Sequence, residues 1–454
     1  MKKYRAIIPV ILIAALAASW YVLISDAGKQ EELYQSHLSV ARRYAQDGLT
    51  RKAIENYEAA LQIRATPEIY GEIIDYYKQQ KNTREYLVWC EQYMETYPKN
   101  PEAYEGMLEV YYEEQDYESC YDVILLAEQK KVSSPRMEEI EENIRYAYTF
   151  GYSTYADVGI YSNNYCPVRK KKNWGYVDRF GIIRLSSQYQ EAGYFTQSGY
   201  APIIDAENKV YFIDKSGEKV IGVSGEYKRF GILVGDIFPA EKSNGKYVYL
   251  RQNTQKAYFA SGDNTSGVHD SFVEVSDEFD FASAFNQEMA AVQKNGQWEV
   301  INLSFEQIGS NYADVKLDEK QIAVRNGVYF AAETKGQYKM YNSSGKPVND
   351  QIYEDVKLFL GEEPTAVKAK GRWYFIDSQG NALSDKTYDD ARPFSNGLAA
   401  VCNAGQWGFV DQNETVVITE QFADSKDFNA KGSCFVKVGD EWQLLKLYRL
   451  NREG

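Results

Sequence analysis

The chain has 454 residues, enough for two or three domains, and its 44 % hydrophobic content supports packed cores rather than disorder. A net charge of −14 argues against nucleic acid as a partner, because phosphate binding needs clustered Lys and Arg. Two histidines, His37 and His269, and five scattered cysteines with no CxxC pair leave little material for His-based catalysis, a metal centre or a disulfide framework.

Residues 1–5 form a basic flank, with Lys2, Lys3 and Arg5, before an unbroken apolar or small stretch over 6–24. Nineteen helical residues reach ~29 Å, near the ~30 Å of a hydrocarbon core. Trp20 and Tyr21 suit an interfacial belt. The expectation is a single-pass signal-anchor in a plasma membrane, with the N-terminus cytoplasmic and the bulk of the chain outside. The alternative is secretion after cleavage of a signal peptide near Ala15-Leu16-Ala17.

Residues 32–149 repeat every 33 or 34 positions, aligned on Tyr44, Tyr77 and Tyr111. Ala53, Tyr86 and Cys120 fall nine residues later, and Ala60, Tyr93 and Ala127 sixteen later, which places apolar stripes on two helices per repeat. Thr50, Thr83 and Asp116 are the expected N-caps of the second helices, and Pro67, Pro101 and Pro135 open the next helix of each pair. This helix–turn–helix period resembles the tetratricopeptide repeat (TPR), with Gly48, Ala53, Tyr57 and Ala60 nearest its pattern. Tyr86 and Cys120 depart from it, standing where a small Ala is usual. Residues 135–148 read as a solvating cap helix.

The resemblance implies a partner-binding groove lined by the first helices, here Arg42 in repeat 1, Glu68, Asp75 and Lys78 in repeat 2, and Glu102, Glu105, Glu109 and Tyr112 in repeat 3. Residues 25–150 hold 14 Lys and Arg against 25 Asp and Glu, so the groove suits a basic or polar peptide better than a captured carboxylate.

Over 151–454 a second period appears. Trp174-Gly-Tyr-Val-Asp178, Trp298-Glu-Val-Ile-Asn302, Trp373-Tyr-Phe-Ile-Asp377, Trp407-Gly-Phe-Val-Asp411 and Trp442-Gln-Leu-Leu-Lys446 share one context, and three further segments match without the Trp. An aromatic lies about twenty residues before each anchor, among them Tyr155, Tyr189, Tyr388 and Phe422. Short β-prone runs flank hairpin connections, and Asp178, Asp214, Asn342 and Asp377 precede Gly by three residues, as turn formers do. These strings resemble the WG (KWG) repeat family, which implies a bacterial binding scaffold. The insertion around 252–270 reads as a long polar loop. Once-per-unit Trp at a fixed strand position reads as a core layer rather than a sugar platform.

No nucleophile elbow, HExxH, Walker loop or GxGxxG is present, so no catalytic residue, metal or cofactor is assigned. The expected fold class is α + β multidomain: a transmembrane helix, an α-solenoid of three TPR-like repeats plus a cap helix, and an all-β array of about eight WG-like units. That array closes as a propeller-like ring or winds as an open spiral. The expected function is a non-enzymatic scaffold for protein partners, tethered to the membrane by its N-terminal helix. The alternatives are a cell-wall glycan binder and, behind it, a cell-wall hydrolase.

Overall fold

The computed structural model describes residues 7–449 except 222, 224 and 254–271, with side chains from residue 27 onward. The chain divides into two compact units, Met1–Arg145 and Tyr146–Gly454. The polar loop expected around 252–270 lies almost wholly outside the described residues.

The first unit is helical: α1 (Ile7–Gln46), α2 (Thr50–Ile63), α3 (Pro67–Gln79), α4 (Thr83–Thr96), α5 (Pro101–Glu113), α6 (Tyr117–Lys130) and α7 (Pro135–Asn143). A residue with positive φ ends the first helix of each pair: Gly48, then Lys81, then Gln115. Pro67, Pro101 and Pro135 open their helices, where a missing N–H breaks no bond. Asp116 caps α6 by accepting from the Ser119 N–H, but Thr50 and Thr83 are first helical residues, with Leu49 and Asn82 at the cap positions. The core stripe holds Ala41, Ala53, Tyr57, Ala60, Ile73, Cys90, Tyr93, Leu108, Cys120 and Ala127, all almost fully buried. Tyr86 fits where a small residue was expected because Gly106 on α5 has no Cβ to meet its hydroxyl.

The transmembrane anchor expected over 6–24 is corrected by the structure. Among the described residues, no helix is long and apolar enough to cross a membrane. The helix does not stop at Ser25-Asp26. It runs on as α1 into a polar half that buries Tyr34, Leu38 and Ala41 and leaves its other positions largely exposed. The side chains of residues 7–26 lie outside the described residues.

The second unit is an eight-bladed β-propeller: seven antiparallel sheets of four strands and one of three. Between ring and spiral, the termini of the unit decide. Strand Tyr148–Tyr155 pairs with Glu441–Leu447, so the eighth blade takes its outer strand from the start of the unit and the ring closes. The sequence shows only three strands per unit because the fourth, innermost strand is two residues long in seven of the eight blades, as at Asp157–Val158, Asp314–Val315, Asp355–Val356, Asp390–Ala391 and Asp424–Ser425, and four in the other, Tyr227–Phe230. In each of the Asp-led strands the carboxylate accepts from the next residue's N–H, fixing a strand too short to hold itself.

The Gly of the Trp-Gly pair has a spatial cause. A Cβ on Gly408 would sit 2.5 Å from the Ile418 carbonyl oxygen and 2.7 Å from the Glu420 nitrogen, where the outer strand bulges over it. Gly175 meets the bulge at Leu185–Ser187 in the same way. The Asp ending the string closes a turn: Asp377 accepts from the Gln379 and Asn381 N–H groups, and Gly380 takes φ +85°.

Candidate functional site

In the helical unit the structure splits the expected groove residues into local pairs. Arg42 forks onto Glu72, with its Nε 2.9 Å from Oε2, and the Tyr57 hydroxyl donates to the same carboxylate at 3.0 Å. The sequence reading missed Glu72; a carboxylate one turn from Glu68 on the same helix was the available signal. Lys78 and Arg136 approach Glu109 at 3.6 and 3.3 Å. The Glu102 carboxylate accepts from the Tyr93 hydroxyl at 2.8 Å. Glu68 and Asp75 are exposed, while Glu105 and Tyr112 are half-buried. Hydrogen bonds from its own backbone N–H and from the Thr66 hydroxyl hold the Glu68 carboxyl below its ordinary range. Lys78, Tyr86 and Glu109 border a cavity of about 200 Å³ between α3 and α5. The three-glutamate face is therefore partly neutralised from within.

In the propeller the repeat tryptophans are largely structural. Trp373, Trp407 and Trp442 are 4, 8 and 6 % exposed, too covered to offer a stacking face, while Trp174 and Trp298 are half-buried. Each covered ring carries a cation from its own blade: Lys357 4.8 Å over Trp373, Arg392 5.6 Å over Trp407, and Lys426 5.6 Å over Trp442.

These cations occupy a position that sequence reasoning passed over, the residue directly after each innermost strand. Around the ring it reads Gly159, Gly193, Gly231, Ser283, Lys316, Lys357, Arg392 and Lys426. The glycine half packs on prolines, since a Cβ on Gly193 or Gly231 would lie 2.6 Å from Pro202 or Pro239. The charged half forms a ladder to the next blade: Lys316 to Asp355, Lys357 to Asp390 at 3.8 Å, and Arg392 to Asp424 at 3.5 Å. The spacing of these cations was present in the sequence, but only the short inner strands give it meaning.

The fourth cation of the ladder, Lys426, turns to Glu319 instead, at 2.8 Å. Glu319 also meets Arg392 at 3.5 Å and accepts from the Tyr194 hydroxyl at 3.5 Å. One side chain of blade five that touches blades two, seven and eight must stand at the ring axis. The segment Asp318–Ile322 thus crosses the central channel, pinned by Asp318 accepting from the Lys320 and Ile322 N–H groups and by the Ala284 N–H donating to Gln321.

Lys320, at the middle of this plug, borders three cavities: two adjoining ones of about 250 and 530 Å³ at one mouth of the channel, and one of about 420 Å³ that Glu319 also lines. Ser162, Asn163, Asn164 and Arg325 line the two at the mouth. Burial pushes the Lys320 ammonium down to about 8, with Arg325 adding to the shift. Asp427, beside the smaller of these two, is raised by burial, and its Oδ1 has no hydrogen-bond partner among the described residues. The hairpin loops at this mouth staple successive blades. Ser395 Oγ and Asn396 Nδ2 donate to the Phe428 carbonyl, Asn286 to Val324, and Asn429 to Arg179.

Among the described residues no cluster of three or more His, Cys, Asp and Glu could hold a metal ion. All five cysteines are buried and unbridged, and burial pushes the Cys90 and Cys120 thiols up to about 12, away from nucleophilic use.

The sequence profile described as "WG containing repeat" matches residues 174–204, 274–298, 375–407 and 407–442, so these stretches of the propeller are WG-containing repeats. A search of curated proteins found no match. Among solved structures, the crystal structure of BamB from Moraxella catarrhalis is similar at 10 % identity and a TM-score of 0.42, covering 66 % of this chain and all of that one.

Proposed function

We propose that this protein is a non-enzymatic scaffold that binds protein partners, with the propeller and the helical unit as separate binding modules. The observation that carries the reading is the closed eight-bladed ring, partly of WG-containing repeats, whose recurring geometry is spent on packing and stapling while its channel mouth stays open and polar. Such a ring is a rigid platform, and rigidity lowers the entropy lost on binding. The helical unit, read as TPR-like, adds a face on the first helices where Glu68, Asp75 and Glu105 are not consumed by the ion pairs that engage Glu109. That face suits a basic or polar peptide.

Crosslinking of the intact protein in its own cells, followed by capture, tests this. The Glu68→Lys, Asp75→Lys, Glu105→Lys variant is expected to lose a specific partner while keeping its helical circular dichroism. Identical partner recovery from this variant and wild type would remove the helical face from the proposal. Absence of any specific partner would remove the scaffold reading itself.

A further inference from the structure

Every charged side chain in the channel ladder has an opposite charge beside it: Lys316, Lys357, Arg392 and Lys426 each face a carboxylate within 4.0 Å. Lys320 does not. Among the described residues its ammonium has no ion pair, although Lys320 is half-buried on the plug and desolvated there. The carboxylates of Asp318, Glu319 and Asp427 act on it only from beyond ion-pair distance. A desolvated ammonium without a direct ion pair is costly, and proteins keep such groups where a ligand supplies the missing contact.

The 530 Å³ cavity it borders falls within the size range of small-ligand sites, ~300–1,000 Å³. Its charged lining consists of Lys320 and Arg325, both cations, with no carboxylate among its lining residues. Arg325 is held in place by Asp318, so its planar fork is pre-set rather than mobile. The rest of the wall offers the Asn164 amide and one hydroxyl proton of the Thr196–Ser198 pair, while the Ser162 hydroxyl is taken by the Phe195 carbonyl. Two cations, the Asn164 amide and the Thr196–Ser198 pair around an open space form an anion receptor. The net negative charge of the chain does not oppose this, because charges beyond ~8–10 Å are screened at physiological salt.

We propose that this channel-mouth cavity binds a carboxylate group between Lys320 and Arg325, presented by an acidic side chain of a partner or by a free dicarboxylate. It rests on the reading of the propeller as a binding module and names the chemistry that module recognises. The carboxylate neutralises the desolvated ammonium, and the Asn164 amide and the Thr196–Ser198 pair donate to its remaining lone pairs.

The test uses the full chain and follows the rise in Tm with added probe. The probes are acetyl-Gly-Glu-Gly amide, its Gln counterpart, and succinate. The Glu peptide or succinate is expected to stabilise wild type. The Gln peptide and the Lys320→Gln protein should each bind about tenfold more weakly, the loss of one charge-assisted hydrogen bond. Lys320→Arg, which keeps the charge, should retain binding and guards against a folding defect in Lys320→Gln. Binding of the peptide assigns the carboxylate to a partner; binding of succinate alone assigns it to a free anion. Equal binding of Glu and Gln peptides, equal affinities of wild type and Lys320→Gln, or binding of neither probe would overturn the proposal. Partner capture by crosslinking is a separate readout, so failure here leaves the scaffold reading standing.

Discussion

Tyr155 and Trp442 face each other across an antiparallel strand pair although they stand at opposite ends of the propeller sequence. The same facing joins Trp174 to Tyr189, Trp298 to Tyr312, Trp373 to Tyr388 and Trp407 to Phe422, always within one blade. The aromatic that precedes each anchor by about twenty residues therefore belongs to the blade before. Tyr155 has no earlier blade, so it completes the last one. Around the pair, Val158, Cys166, Val177, Phe435 and Leu444 form the core between the eighth and first blades.

Removing residues 146–156 should open the ring, because it exposes the edge of strand Glu441–Leu447 and the core beneath it. The expected outcome is a lower Tm and self-association through the bare edge. Size-exclusion chromatography checks it, and a monomer melting like wild type would show that closure is dispensable.

Gly408→Ala should destabilise the propeller by about 1–3 kcal/mol, the usual cost of overpacking. The atoms in the way are backbone of residues 418–420 and cannot rotate aside. Chemical denaturation reads the loss. A neutral result would mean that the bulge shifts freely.

Trp407→Ala should cost about 3–5 kcal/mol, as for truncating a buried aromatic. Trp298→Ala should cost less, since Trp298 is only half-buried and no cation is stacked over it among the described residues. Equal losses would contradict the burial difference.

Lys320 gives a pH signature. Its folded pKa of about 8 lies below its ordinary 10.5, so between these values the unfolded chain holds more protons and stability attributable to this residue rises with pH. Below pH 8 both states are protonated and the cost of burying the charge is fully present. Asp318, Glu319, Asp427 and Arg325 are the charged groups around it. Lys320→Met should therefore melt above wild type at pH 7, and its advantage should shrink from pH 8 towards 10.5. A constant difference across that range would mean that Lys320 is not desolvated.

The sequence by itself determined the repeats. Period, anchor tryptophans, turn aspartates and helix-opening prolines are local, because each arises from contacts within one repeat or from the backbone demands of a single turn. It also placed the acidic helix faces and showed how few groups could serve catalysis. Tertiary structure decided the rest. Ring closure depends on Tyr155 finding Trp442, a pairing no periodicity encodes. The membrane-span reading failed because an apolar run was judged alone, while α1 continues past it into the helical core. The channel site was invisible because Lys320, Arg325 and Ser162 share no motif or spacing. Ser162 of the first blade meets Lys320 and Arg325 of the fifth only because the closed ring brings those loops to one mouth, and a lysine left there without an ion pair has physical meaning only once it is desolvated.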